Sequence, residues 1–103
     1  MAMKKLVRDR IPELIRASGE EPVTRVLNDA EYLAALETKL DEEVAEYHAD
    51  KNLEELADIL EIIYALTEAQ GHSKDELAQV YQSKHDARGG FEKRIFLEGK
   101  LNK

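Results

Sequence analysis

The stretch KLDEEVAEYHADKNLEELADIL, residues Lys39 to Leu60, decides the fold of this chain. Apolar residues recur in it every three or four positions, which is the spacing of one helical face. The letters HADKN interrupt this pattern, and Asn52 with Glu55 three residues later has the spacing of a helix-starting capping box. The stretch therefore predicts two amphipathic helices that fold back on each other around a short turn.

The flanking sequence adds two further helices. RDRIPELIRASG predicts a short first helix, capped by Asp9 and ended by Gly19. The helices after it are predicted over about residues 29–49, 52–70 and 73–86. The period is lost at Gly89 and Gly90, so the remainder is predicted as a short strand or an irregular arm. We expect an all-α bundle of about four helices in a single domain, residues 1–103.

Composition supports one small globular domain. The chain has 103 residues, of which 43% are hydrophobic and 36% charged. Such a domain buries a modest fraction of its surface, so a subunit interface would help to stabilise it. The absence of cysteine excludes disulfides and thiolate metal sites. No apolar run approaches the roughly 20 residues that span a bilayer, and we expect a soluble, cytoplasmic protein with no membrane partner.

The negative charge is concentrated in one segment. The formal net charge is −7, and the nine acids and single lysine between Asp41 and Glu61 account for −8. The rest of the chain is therefore close to neutral. Without a basic surface, the protein is not expected to bind nucleic acid.

Helical wheels, drawn at about 100° per residue, separate these acids into classes. On the first helix of the pair, Glu43 borders the apolar stripe, Glu46 lies on its shoulder and Glu42 points away. On the second helix, Glu55 falls inside the apolar arc and Asp58 lies just outside it. The ordinary solvent face of that helix carries Glu54, Glu61 and Glu68.

Carboxylates that face a core are costly unless they are paired or coordinated. Two antiparallel helices that each offer such acids three residues apart can bring four oxygen donors to one place. Hard divalent cations, Mg²⁺ or Mn²⁺, prefer oxygen ligands, and four carboxylates carry enough charge for more than one ion. The pattern therefore predicts a metal site, and its donors are Glu43, Glu46, Glu55 and Asp58.

Other interpretations of these acids stay open. Glu55 would be only the capping partner of Asn52 if its side chain turned back on the helix start, and Asp58 would then be a solvated residue. The acids of the first helix are also compatible with a solvated face. A di-iron carboxylate bundle is excluded, because none of the three histidines has a glutamate three positions earlier. An EF-hand is excluded because DKNLEE lacks the required glycine.

The acid motifs resemble those of a known family. EEVAE (Glu42, Glu43, Glu46) and ELAD (residues 55–58) are similar to the EExxE and ExxD signature of the MazG-like, all-α nucleoside triphosphate pyrophosphohydrolase superfamily. The stretches KKLVRDRIPELIRASG and KHDARGGFEKRIFLE are similar to the ends of a small single-domain subgroup described as phosphoribosyl-ATP pyrophosphohydrolase-like. Only eight residues separate the two acid motifs, which is short for the superfamily and implies a tight hairpin.

The resemblance implies a homodimer or homotetramer that hydrolyses a nucleotide to its monophosphate and pyrophosphate with Mg²⁺. It implies metal ligation by the four acids named above, with Glu42 or Glu46 acting on the attacking water. Two alternatives stay open. One is phosphoribosyl-ATP hydrolysis in histidine biosynthesis, and the other is a non-catalytic helical dimer that keeps the acids to bind a metal or a nucleotide.

Phosphoryl transfer also needs cationic side chains near the phosphate oxygens. Lys84 and Arg88 lie one turn apart, directly before the two glycines, and they match the closing motif of the subgroup. Arg8 and Arg10 form a second basic cluster. These four residues are the predicted phosphate-binding groups, although a surface charge explains each of them when it is taken alone.

Overall fold

The structure is a computed structural model that describes residues 4–102, so positions 1–3 and 103 of the predicted domain lie outside it. Four helices follow one another in this range, and it contains no strand: α1 (Ile11–Ala17), α2 (Asp29–Asp50), α3 (Leu53–Ala69) and α4 (Lys74–Arg88). The predicted all-helical class and the number of helices are confirmed. No helix in residues 4–102 is both long and apolar enough to cross a membrane.

Helices α2 and α3 pack along each other as a hairpin. Their connection is only Lys51, which adopts a left-handed conformation with φ of 50°, and Asn52. The turn is shorter than the predicted HADKN because residues 48–50 continue α2. The Asn52 side chain accepts a 2.9 Å hydrogen bond from the Glu55 backbone N–H, which caps α3. So short a connection forces the two helices to run antiparallel, side by side.

The other helix ends agree in part with the sequence prediction. Ser73 and Glu76 exchange hydrogen bonds with each other's backbone at the start of α4, as predicted. The predicted cap of α1 by Asp9 is wrong, because Arg10 occupies the N-cap position and no side chain caps the helix. Helix α4 runs two residues beyond the predicted end, since the first residue to leave the helical conformation is Gly89, with φ of 76°.

The core between the helices is thin. The buried residues of the range 4–102 are Leu36 of α2, Ile62 of α3 and one acid, Glu43. Only part of the predicted apolar arc of α3 is therefore buried. A run of apolar side chains on the same helix remains 38–80% exposed: Leu53, Leu56, Leu60 and Ile63.

The chain is extended for its size. Its radius of gyration is 18.7 Å, whereas a compact domain of 100 residues has roughly 13 Å. Its accessible surface is 9572 Å², compared with about 5,900 Å² for a folded monomer of this mass. Part of the excess comes from the predicted C-terminal arm, which is irregular and carries apolar side chains at least 72% exposed: Phe91, Ile95, Phe96, Leu97 and Leu101. A single copy thus leaves much of its apolar surface in water.

The segment before α1, residues 4–10, has no helix or strand but lies against the hairpin. Lys5 and Leu6 line a shallow cavity together with Thr38 of α2. Arg8 reaches across to Asp58 on α3. This N-terminal segment therefore passes beside the acids of the hairpin.

Candidate metal centre

Glu43 of α2 and Glu55 and Asp58 of α3 form one cluster, which we call the acid cluster. One carboxylate oxygen of each residue lies within 4.8 Å of the others. The short turn explains this geometry, because it sets Glu43 opposite the first turns of α3. The three-residue spacing then places Glu55 and Asp58 on the same side of α3. The structure brings together three of the four predicted metal ligands.

Two oxygens of the acid cluster are sealed from solvent without a partner. Glu43 is 6% exposed, and within residues 4–102 neither its Oε2 nor Oε2 of Glu55 takes part in a hydrogen bond. Leaving buried polar atoms unsatisfied is costly. Oxygens on opposite sides of one divalent ion are about 4–5 Å apart for the usual bond lengths. The cluster therefore fits a cation that prefers oxygen ligands, and it can hold a metal ion.

Glu43 and Glu55 are destabilised as charged groups. The pKa of Glu43 is raised, first because burial removes its carboxylate from water and next because Glu46 lies nearby. Burial also raises the pKa of Glu55, and the charges of Glu46 and Asp58 add to it. Lys39, with Nζ 3.4 Å from Oε1 of Glu43, opposes the effect on Glu43. A divalent cation would favour the ionised form of all of these carboxylates.

Glu46 and Glu42, the predicted catalytic acids, occupy the edge of this site. Glu46 lies outside the acid cluster and is exposed, although it is close enough to raise the pKa of two members. Glu42 is also exposed, and its Oε2 lies 3.7 Å from Nζ of Lys39. Ligation by Glu46 and action on water by either residue stay predictions.

The structure decides whether Glu55 is merely a capping residue. In α2 and α4 the third residue, Glu31 or Glu76, accepts a hydrogen bond from the N-cap backbone. In α3 the described contacts include only the half in which Asn52 accepts from the Glu55 backbone. The carboxylate of Glu55 does not turn back on the helix start. This carboxylate is therefore available to the acid cluster.

A cavity of about 220 Å³ opens beside the cluster. Glu43 and Asp58 line it together with three cations, Lys5, Arg8 and Lys39. Of these cations, only Arg8 was predicted from the sequence as a phosphate-binding residue, and the two lysines were not. The spacing of Lys39, one turn before Glu43, is a signal that could have found it. Lys5 has no such local signal, because its place depends on the path of the N-terminal segment.

The remaining predicted phosphate-binding residues lie elsewhere in the described chain. Lys84 and Arg88 are exposed near the end of α4, which packs on α3 alone among the four helices. Arg10 pairs with Glu13 on α1 at 3.2 Å. None of the three lines the cavity beside the acid cluster.

No family model and no solved structure matches this chain. An uncharacterized protein of Mycolicibacterium smegmatis (strain ATCC 700084 / mc(2)155) is 72% identical over 47 residues, which are 46% of this chain and 48% of the relative. The chain thus spans about half the length of this curated relative.

We predict that Glu55→Gln raises the melting temperature of the metal-free protein and removes most of its stabilisation by Mg²⁺ or Mn²⁺. The amide relieves repulsion among the acids but is a weaker ligand. For the wild type, a cation at 100 times its Kd stabilises by about 2.7 kcal/mol, which corresponds to roughly 10–20 °C. Thermal unfolding in EDTA and in MnCl₂ measures both effects.

The matched control is Glu54→Gln, because it makes the same charge change at the neighbouring, exposed residue of α3. It should keep the wild-type response to Mn²⁺. Identical behaviour of the two variants would contradict a metal site in the acid cluster.

We also predict a pH signature for Glu55 in the metal-free protein. Since its pKa is raised from the ordinary value of 4.5, the folded state binds this proton more tightly than the unfolded state does. Its contribution to stability is therefore present below pH 4.5 and is lost as pH rises through the raised pKa.

The free energy of unfolding of Glu55→Gln, relative to wild type, should therefore increase as pH rises from about 4.5 to 7. Urea unfolding in EDTA across this range measures the difference, and Glu54→Gln should give a much flatter one. A constant difference between Glu55→Gln and wild type would show that folding does not perturb Glu55.

Proposed function

We propose that this chain is a member of the MazG-like superfamily and a Mg²⁺-dependent nucleoside triphosphate pyrophosphohydrolase. One observation carries the proposal: Glu43, from the first acid motif, meets Glu55 and Asp58, from the second, and two buried oxygens there lack a partner. Oxygen donors of this kind suit Mg²⁺, which binds proteins through a few carboxylates and keeps sites open for phosphate. The reaction is proposed from the resemblance of both acid motifs to the signature of this superfamily.

The acids have two proposed roles, which are to bind the metal ion and to activate the attacking water. Glu43, Glu55 and Asp58 would hold Mg²⁺ or Mn²⁺, with Glu46 as the predicted fourth ligand. The ion, when bound, supplies neutralisation of polyphosphate charge and a lower pKa for water. Glu42 or Glu46, whichever does not ligate, is the carboxylate that accepts the proton of the attacking water.

The reaction joins the water oxygen to the first phosphorus of the nucleotide and breaks the bond to the leaving pyrophosphate. The cations of the cavity, Lys5, Arg8 and Lys39, lie beside the acid cluster. Ammonium and guanidinium groups form short, charge-assisted hydrogen bonds to phosphate oxygens. We assign these three side chains to the polyphosphate, in place of the exposed pair on α4.

Assembly as a homodimer or homotetramer is part of the proposal. The exposed side chains Leu53, Leu56, Leu60 and Ile63 recur every three or four residues along α3, and this is the spacing of a helical seam. We call them the α3 seam. A second copy that covered the seam would bury apolar surface that residues 4–102 of the same chain leave exposed. Identical chains commonly pair through the same surface about a twofold axis.

We predict that the purified protein, incubated with a panel of nucleoside triphosphates and Mg²⁺, releases pyrophosphate and the monophosphate. Glu43→Gln and Asp58→Asn should abolish release, because each removes a charged ligand, whereas Glu54→Gln should retain it. The products are separated by ion-exchange chromatography. Orthophosphate as the sole product, or activity that persists in both variants and with a chelator, would contradict the assignment.

The same assay separates the alternatives. Faster turnover of phosphoribosyl-ATP than of every triphosphate would favour the histidine pathway. Stabilisation by Mn²⁺ without turnover of any substrate would favour a non-catalytic metal-binding dimer.

We further predict that Leu60→Glu disrupts assembly, because it places a charge in the α3 seam. Analytical ultracentrifugation should find a dimer or tetramer for the wild type and a smaller or unfolded species for the variant. Val23→Glu, at a 99% exposed position outside the helices, should keep the wild-type mass. A wild-type monomer at micromolar concentration would overturn the assembly.

A further inference from the structure

Arg8 makes a long-range contact with the acid cluster. Its Nη2 donates a 2.7 Å hydrogen bond to Oδ1 of Asp58, and its Nη1 lies 3.5 Å from Oε1 of Glu61. Arg8 and Asp58 are 50 positions apart, so neither helical periodicity nor a turn produces the contact. One carboxylate of the cluster is thus already engaged by a cation of the chain itself.

We propose that Arg8 is the internal counter-charge of the metal-free site, and that Arg8 and a divalent cation compete for Asp58. The inference rests on the metal site of the proposed function and adds a regulation to it. Binding of the cation releases the guanidinium of Arg8 from Asp58. When Arg8 is paired with Asp58, cations of low affinity are excluded from the site. By linkage, each weakens the other to the same degree.

The charges around the cluster identify Arg8 as the cation that can leave. Lys39 pairs with Glu43 from one turn away on the same helix, and its side chain is only 21% exposed. The Arg8 side chain is 55% exposed and belongs to a segment without regular structure. An exposed ion pair contributes little to stability, so a doubly charged ion can displace it.

Glu55 is the acid of the cluster at which an incoming cation can bind first. Within residues 4–102 no Lys, Arg or His side chain lies within 4.0 Å of the Glu55 carboxylate, and one of its oxygens is buried without a partner. The cation can therefore begin at Glu55 and Glu43 and complete its ligand set as Arg8 withdraws from Asp58. The withdrawn guanidinium stays on the wall of the cavity, where it can meet an anion.

The test is calorimetric titration of MnCl₂ alone into the metal-free, full-length protein. Arg8→Gln should lower the Kd for Mn²⁺ by about 2- to 5-fold, the range expected when one exposed ion pair no longer competes. Arg8→Lys retains the positive charge and should fall between Arg8→Gln and wild type. The matched control is Arg25→Gln, which makes the same charge change in an exposed pair with Glu31, at 3.0 Å and remote in sequence from the cluster.

A second measurement follows Arg8 directly. In a ¹⁵N-labelled sample titrated with diamagnetic Mg²⁺, the side-chain Nε–H signal of Arg8 should shift with the same midpoint as binding. The signal of Arg25 should stay in place. This readout does not depend on catalysis or on the stability of a variant.

The outcomes separate this inference from the proposed function. If wild-type protein binds Mn²⁺ and Arg8→Gln binds it equally or more weakly, Arg8 does not compete with the ion and the inference is overturned. A stationary Arg8 signal during Mg²⁺ binding would overturn it as well. If the wild type binds neither ion at millimolar concentration, the metal site itself fails, and the proposed function fails with it.

Discussion

The buried carboxylate of Glu43 is the interaction on which the rest of this structure depends. It occupies one of the few sealed positions between α2 and α3, where an apolar side chain would stabilise the hairpin without cost. An ionised group there needs a compensating charge. Lys39 supplies part of it on one oxygen, and the other oxygen has no partner among the described residues. A proton or a cation would offset the remainder, and our proposal therefore makes the site sensitive to both.

The burial of Glu43 between the helices also makes the fold of a single copy less stable. With an acid at the centre of the hairpin, the core formed by residues 4–102 reduces to Leu36, Ile62 and partly covered neighbours. The apolar residues that would complete a core face outward, on the α3 seam and the C-terminal arm. Site and assembly are therefore connected in our proposal, because a hairpin that reserves its interior for charge gains stability from surface contacts with another copy.

The helices were predictable because their signals are local. Asn52 and Ser73 mark helix starts through hydrogen bonds that span three residues, and the apolar period of α2 and α3 repeats within each helix. Asp9 failed as a cap because α1 begins one residue later, where no side chain reaches the first turn. The helical wheels predicted Glu43 at the border of the apolar stripe of α2 and Glu55 inside the apolar arc of α3. Both residues belong to the acid cluster. The wheel did not determine how far each acid is sealed, since burial depends on what packs over a helix.

The sequence by itself determined that the chain is helical, that its hairpin is tight, and that acids of two motifs lie on facing sides of that hairpin. Periodicity and spacing involve residues that are close together in the chain, so the structures that depend on them can be predicted from the sequence. Only the tertiary structure decided that Glu43, Glu55 and Asp58 meet while Glu46 stays at the edge. It alone placed Lys5 and Arg8 beside them, because the path of the N-terminal segment is set by contacts that local sequence does not encode.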